Sequence, residues 1–301
     1  MSTNIHAISR GDIRFPPALD AIHDPPQTLW IKGTADALRA PAVAIVGSRA
    51  ASPYALEVAR RLGADLARRN VAVVSGMARG VDSAAHRGAL EAGGITLAVF
   101  GCGVDVIYPA EHRALAEQIA ERGALVSEFA LGMPPLKHHF PQRNRIISGL
   151  SLAVVIVEAA EGSGSLITAD FALEQGRAVL AVPGNVLGGR NLGAHALLRD
   201  GAKLVECADD VLEELPPALT RPGGVSRAPR DGPAEPASRK AASQDPVLRA
   251  MDEGDAYDLD ELAERSGLDR MKLLPRLLEL ELAGALGRVE GGRFVRFRGP
   301  C

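Results

Sequence analysis

The chain has 301 residues, 47% of them apolar and 24% charged, with a formal net charge of −3. That is enough apolar material for one large core or two ordinary domains, which excludes a wholly disordered chain. No apolar run approaches the ~20 residues of a membrane-spanning helix, no secretory leader is read at the N-terminus, and the overall charge offers nucleic acid no general attraction.

Cys102, Cys207 and Cys301 stand far apart and show no Cys-x-x-Cys or Cys/His spacing. Neither a disulfide framework nor a metal site is signalled, and a soluble cytoplasmic protein is expected. Residues 1–40, with Pro25-Pro26 and Trp30-Ile31-Lys32-Gly33, read as a lead-in that packs on the core. From 41 to 215 short β-branched runs alternate with helical patterns. Strands are predicted at 43–46, 71–74, 96–100, 124–127, 152–158, 178–182 and 203–205, with helices over 53–69, 82–92, 111–121, to 148, after Ser165 and near 192–199. Strands that are apolar throughout are buried on both faces, so an α/β domain with a mostly parallel sheet is expected. Ligands of such sheets bind beyond the carboxyl ends of the strands, and those turns are where function is sought.

After the first of these strands stand Gly47, Ser48 and Arg49, then Ser52-Pro53. Ser52 is placed to cap a helix and Pro53 to begin it. Glycine lets the backbone approach an anion, the helix N-terminus aims N–H groups at it, and Arg49 can fork onto a phosphate. The plainer alternative is a tight turn with a surface arginine. After the second strand comes Ser75-Gly76-Met77-Ala78-Arg79-Gly80-Val81-Asp82-Ser83, a loop able to wrap an anion, with Asp82 expected as a helix N-cap and Arg79 as partner to an acid. His86 is expected to be a packed or capping histidine. After the third strand Gly101-Cys102-Gly103 begins a dinucleotide fingerprint, but Val106 stands where its last glycine is needed, so no nicotinamide or flavin cofactor is expected.

Between 137 and 145 the chain reads KHHFPQRNR, with Lys137, Arg143 and Arg145, the ring of Phe140, and no acid. Single-stranded nucleic acid needs that chemistry: cations for phosphates and a ring on which a base stacks. Arg143 and Arg145, two positions apart on a helix, point to nearly opposite faces. One is expected to face the ligand and the other an internal carboxylate, with Asn144 bracing the loop. His138 and His139 are adjacent and cannot share a helix face as a metal pair would. After the fifth strand Gly162-Ser163-Gly164-Ser165 opens another helix and either cradles phosphate or lets helix and strand approach closely.

From 216 to 243 the chain holds six prolines and three glycines, a linker composition. Beyond it, helices are predicted over 246–251, 259–266 and 270–283, and a two-stranded ribbon over 286–289 and 293–297. Three helices and a ribbon suggest a small winged-helix domain over 244–301.

Five motifs in order carry a resemblance. They are Gly47-Ser48-Arg49; Ser75-Gly76-Met77-Ala78-Arg79-Gly80-Val81-Asp82-Ser83-Ala84-Ala85-His86; Gly101-Cys102-Gly103-Val104-Asp105-Val106-Ile107-Tyr108-Pro109; Phe140-Pro141-Gln142-Arg143-Asn144-Arg145-Ile146-Ile147; and Gly164-Ser165-Leu166-Ile167-Thr168-Ala169. Over roughly 15–215 the chain resembles the bacterial DNA-processing protein A (DprA/Smf) family. The resemblance implies an extended Rossmann-like fold and a non-enzymatic protein that binds single-stranded DNA, protects it, forms a homodimer through roughly 178–215, and loads RecA recombinase in natural transformation. It also implies that Arg49 and Lys137 hold phosphates while Gly47, Ser48 and Phe140 line the site. Near Gly193-Ala194-His195 the chain departs from the family pattern, and that loop is given no ligand contact.

Two rivals remain. The chain also resembles nucleotide phosphoribohydrolases of the Lonely Guy type, but Thr168 stands where their pattern has glutamate, and a hydroxyl cannot serve as a carboxylate acid or base. A winged-helix regulator of duplex DNA is the other. From Gln244 onward, however, nine basic and twelve acidic residues make a poor duplex reader.

Overall fold

The computed structural model describes residues 5–216, 245–252, 255–282, 285–289 and 292–296. The predicted linker, apart from Pro216, lies outside the described residues. The chain divides into two compact units, Met1–Gly223 and Gly224–Cys301.

The larger unit is built on one nine-stranded sheet. Its strands are β1 (Ile5–Ser9), β2 (Thr28–Gly33), β3 (Ala42–Gly47), β4 (Ala72–Ser75), β5 (Thr96–Val99), β6 (Ala124–Ser127), β7 (Ala153–Val157), β8 (Ala178–Ala181) and β9 (Lys203–Leu204), in the spatial order β1-β2-β6-β5-β4-β3-β7-β8-β9. Every pairing from β6 to β9 is parallel. The lead-in packs on the core through Phe15, Leu19 and Ile22, and beyond that expectation it also extends the sheet edge-on. β2 pairs antiparallel with β6, Ile31 opposite Val126, and β1 pairs antiparallel with β2. Along β2, Leu29 and Ile31 are fully buried on one face while Trp30, partly buried, packs against the apolar cluster on the other.

Helices α1 (Pro17–Asp20), α2 (Pro53–Arg68), α3 (Val81–Glu91), α4 (Arg113–Arg122), α5 (His139–Gly149), α6 (Gly164–Glu174), α7 (Leu192–Arg199) and α8 (Ala208–Glu213) cover the sheet. Along β3, Val43 and Ile45 pack with α2, α3 and α8, while Ala44 and Val46 pack with α1, α5, α6 and α7. Both faces are therefore apolar, which is why the parallel strands read as unbroken hydrophobic runs. Because β3 leads to α2 on one face and its neighbour β7 leads to α6 on the other, the chain reverses direction between them. That is the switch point at which open α/β sheets place ligands.

The smaller unit holds α9 (Pro246–Ala250), β10 (Ala256–Tyr257), α10 (Leu259–Ser266), α11 (Arg270–Leu282), β11 (Leu286–Val289) and β12 (Arg293–Arg296). The predicted ribbon gains a third strand, since Tyr257 of β10 pairs opposite Phe294 of β12. Leu262, Leu273, Leu277 and Phe294 form its separate core. This is the winged-helix arrangement.

Candidate nucleic-acid interface

The turn after β3 begins with a glycine because nothing larger fits: a Cβ on Gly47 would collide with the carbonyl oxygen of Val157. Ser48 N–H donates to the Glu158 carbonyl at 2.8 Å. Ser52 caps α2 as predicted, its Oγ accepting from Ala55 N–H at 3.2 Å, and Pro53 begins the helix. The expectation of phosphate at this N-terminus is corrected, because the chain supplies its own anion. Glu158, buried at the end of β7 with φ 56°, accepts from Ser52 N–H at 3.0 and 3.3 Å and from Ser52 Oγ at 2.5 Å. Pro53 has no N–H to offer. The Ser52 amide and hydroxyl at the start of α2 are thus taken by a carboxylate, while the Arg49 side chain stays exposed.

The glycine-rich loop after β4 is occupied in the same way. Asp82 is not the N-cap of α3; Gly80, at φ 75°, holds that place, and a Cβ there would meet the Ser48 carbonyl. Asp82 instead sits two positions past that cap, as the second helical residue, and accepts from Gly76 N–H at 3.0 Å and Ala78 N–H at 3.2 Å. These are the amides expected to wrap an external anion. Ser75 is buried and donates to the Ile45 carbonyl at 2.6 Å. Arg79 is exposed and paired with Glu111. The loop is a closed piece of structure whose partners are internal.

Helix α5 supplies the next layer. Arg145 forks onto Glu128 at 2.6 and 2.8 Å and reaches Asp24 at 3.0 Å, the internal carboxylate role that was expected for one of the pair. Arg143 does not take the other role, facing ligand. It is 4% exposed, and its guanidinium donates to the carbonyls of Gly76, at 2.8 Å, and Val99 and to Asn144 Oδ1 at 3.3 Å. Burial pushes Arg143 down to about 10 against the attraction of Asp82, and burial likewise raises Asp82. The two buried charges flank Gly76, where a Cβ would come within 2.8 Å of both, and attract each other without a direct salt bridge. Asn144 braces the start of α6, donating to the Gly164 carbonyl at 3.2 Å.

Above this layer is the open chemistry. The Phe140 ring is half-buried against Gly101, whose absent Cβ would stand 2.9 Å from Phe140 Cδ1. The Arg49 guanidinium lies 5.5 Å from the ring centroid, that of Arg143 6.0 Å, and the Tyr108 ring 5.7 Å at a tilt of 43°. Tyr108, 47% exposed, was not singled out from sequence, although an aromatic beside a strand-end glycine loop in so aromatic-poor a chain was the available signal. Lys137 is exposed just before α5 and, like Arg49, has no carboxylate partner among the described residues. Arg49, Phe140, Tyr108 and Lys137 thus combine unpaired cations with rings, the composition a sequence-independent single-strand site needs.

Around this cluster, Gly162 and Gly164 are exposed after β7, with Ser163 Oγ near Ser165 Oγ at 2.8 Å and Ser165 and Thr168 buried. That loop is held by its own hydroxyls. His86 is buried with Nδ1 at 2.7 Å from Thr96 Oγ1, a packing histidine as expected. The loop after β8, given no ligand role from sequence, reaches the β3 turn: Arg190 donates to the Ala50 carbonyl at 2.8 Å. Among the described residues no group of His, Cys, Asp and Glu could hold a metal ion, and no helix is long and apolar enough to cross a membrane.

Comparison with known proteins supplies the wider setting. The family profile described as DNA recombination-mediator protein A matches residues 6–216, and that of the DprA winged helix domain matches 231–292. Protein Smf of Escherichia coli strain K12 is 43% identical over 299 residues, covering 99% of this chain and 79% of that protein. DNA processing protein DprA of Streptococcus pneumoniae is 46% identical over 201 residues, 67% of this chain and 71% of that one. The X-ray structure of the S. pneumoniae protein superposes with a TM-score of 0.68 and 43% identity over 71% of this chain and 76% of its own. DNA processing protein A from Helicobacter pylori, whose structure was described for its single-stranded DNA binding mode, gives a TM-score of 0.64 at 29% identity over 71% of this chain and all of its own.

Proposed function

Because this chain belongs to the DNA recombination-mediator protein A family, we propose that it binds single-stranded DNA without sequence preference. In this proposal it shelters incoming strands in the cytoplasm and passes them to RecA recombinase during natural transformation. The observation that carries the reading is the exposed Arg49 guanidinium over the Phe140 ring, with Tyr108 against that ring and the exposed Lys137 three residues before it in the chain. Cations neutralise phosphates while rings stack bases, and neither reads sequence. With about three or four phosphates neutralised, log affinity should fall with log salt at a slope of roughly −2 to −3. Anisotropy with oligo-dT across a salt series tests this; a flat response or tighter duplex binding would refute it.

The role is one of binding rather than catalysis. Support comes from the two buried carboxylates nearest the switch point, Glu158 and Asp82, which are both committed to loop amides, and from Thr168 in the place of a glutamate. Release of free base from nucleoside monophosphates by the purified chain would count against it. Homodimerisation fits a protein that must hold a strand through modest pockets, since two linked sites raise the effective concentration. Leu187, Leu192 and Leu204 are exposed within the stretch that the resemblance points to for the dimer. Light scattering on the full chain, with and without an oligonucleotide, separates dimer from monomer. RecA assembly on a protected strand, timed with and without this chain, tests the transfer role.

A further inference from the structure

Two hydrogen bonds fix the loop after β8 against the β3 turn. Tyr54 Oη donates to the Pro183 carbonyl at 3.0 Å, and Arg190 Nη1 donates to the Ala50 carbonyl at 2.8 Å. Arg190 is exposed and has no carboxylate partner among the described residues. A guanidinium carries five donors, so the Ala50 bond leaves most of them available to an anion. The contact also places this cation beside the residue that follows Arg49.

The sheet order sets the strands that lead to the unpaired cations in a row. Lys137 follows β6, Arg49 follows β3 and Arg190 follows β8, with Tyr108 after β5. At the usual spacing of roughly 4.8 Å between strands, β6 to β3 spans about 14 Å and β3 to β8 about 10 Å. The loop holding Arg190 crosses to the side of α2, where Tyr54 and Ala50 lie. Glu161, the exposed acid after β7, leads into α6 on the opposite face. Leu187, 90% exposed, and Val186, 74% exposed, stand in the same loop and offer apolar surface to bases.

We propose that the bound strand runs across the carboxyl edge of the sheet from the β6 side to the β8 side, and that Arg190 is a phosphate contact on the far side of Arg49 from Lys137. This rests on the site being one for single-stranded DNA. It adds a direction and an end to the path. A strand long enough to pass Arg49 gains the Arg190 contact; a shorter one bound at Arg49 and Phe140 does not.

The test is a length series of oligo-dT bound to the full-length chain, compared with Arg190→Gln and Arg190→Lys. Glutamine keeps a donor for the Ala50 carbonyl but loses the charge, and lysine keeps the charge. For the longest oligonucleotides, R190Q should weaken binding roughly five-fold at 0.1 M salt and make the salt slope shallower by about 0.7, the value for one phosphate on a single strand. For the shortest that still bind, R190Q should match the wild type, and R190K should keep the wild-type slope at every length. Equal weakening at every length with an unchanged slope would overturn the proposal, since Arg190 would then act only by holding Ala50. No effect at any length would overturn it too. If the wild type itself bound no single strand, the reading of the whole site would fall with it, so the wild-type series separates the two failures.

Discussion

Replacing Arg143 with methionine is the sharpest perturbation of the layer beneath the site. The side chain is 4% exposed and lies beside Asp82, which is 5% exposed and already pushed toward its neutral form by burial. Methionine fills similar space but removes the cation, along with the donors to the Gly76 and Val99 carbonyls. What remains is the Asp82 carboxyl, still held by two loop amides but without its nearby cation, and two buried carbonyls without their donor, a combined defect of about 3–5 kcal/mol. For a unit of this size that corresponds to a melting temperature lower by roughly 6–20 °C. Trp30, the only tryptophan, sits in β2 and reports unfolding of the larger unit by fluorescence in urea. Pairing the change with Asp82→Asn removes the orphaned charge and should recover about half or more of the loss, giving a strongly non-additive cycle. A single variant within about 1 kcal/mol of wild type, or a double variant whose loss is the sum of the two singles, would refute the account of two coupled buried charges.

Arg49→Ala and Lys137→Ala should each weaken single-strand binding and reduce the salt slope by about 0.7 while leaving the melting temperature unchanged, because both side chains are exposed. Phe140→Ala and Tyr108→Ala should each cost about 1–3 kcal/mol of binding with the slope intact, as expected for lost stacking. Glu158→Gln keeps an acceptor for Ser52 but loses the charge-assisted bond, so about 1 kcal/mol of stability and faster amide exchange at Ser48 and Ser52 are expected; unchanged exchange would show that the carboxylate does not hold the turn. Burial holds His86 down at about 3, well below its ordinary 6.5. The unfolded chain therefore binds the extra proton first as pH falls, and stability should drop by about 1.4 kcal/mol for each pH unit below about 6, down to about pH 3. Acid titration of His86→Asn, whose amide reaches the place of Nδ1, should show a slope shallower by that amount.

Much of this molecule is legible locally. The alternation of apolar runs with helical patterns and the Ser52-Pro53 helix start each depend on neighbouring residues, and each is found where the pattern places it. The basic stretch with Phe140 and the turn with Arg49 could likewise be picked out as candidate ligand surfaces, because charge and aromatic content are properties of the side chains themselves. Which groups are free to use was a different matter. The amides after β3 and β4 look open in sequence, yet Glu158 is 106 residues from Ser52 and fills the first turn, while Asp82 fills the second. Arg143 and Arg145 look like a pair with one member to spare, but both are consumed by carbonyls and carboxylates that the sheet order brings beside them. Helix periodicity separates their faces without saying what waits on each. The strands of the lead-in and the reach of Arg190 to Ala50 are of the same kind, since they join segments that only β-strand pairing makes neighbours. A hydrogen-bonding group has a fixed capacity, and whether that capacity is already spent depends on partners distant in the chain, so availability for a ligand is decided by the tertiary structure.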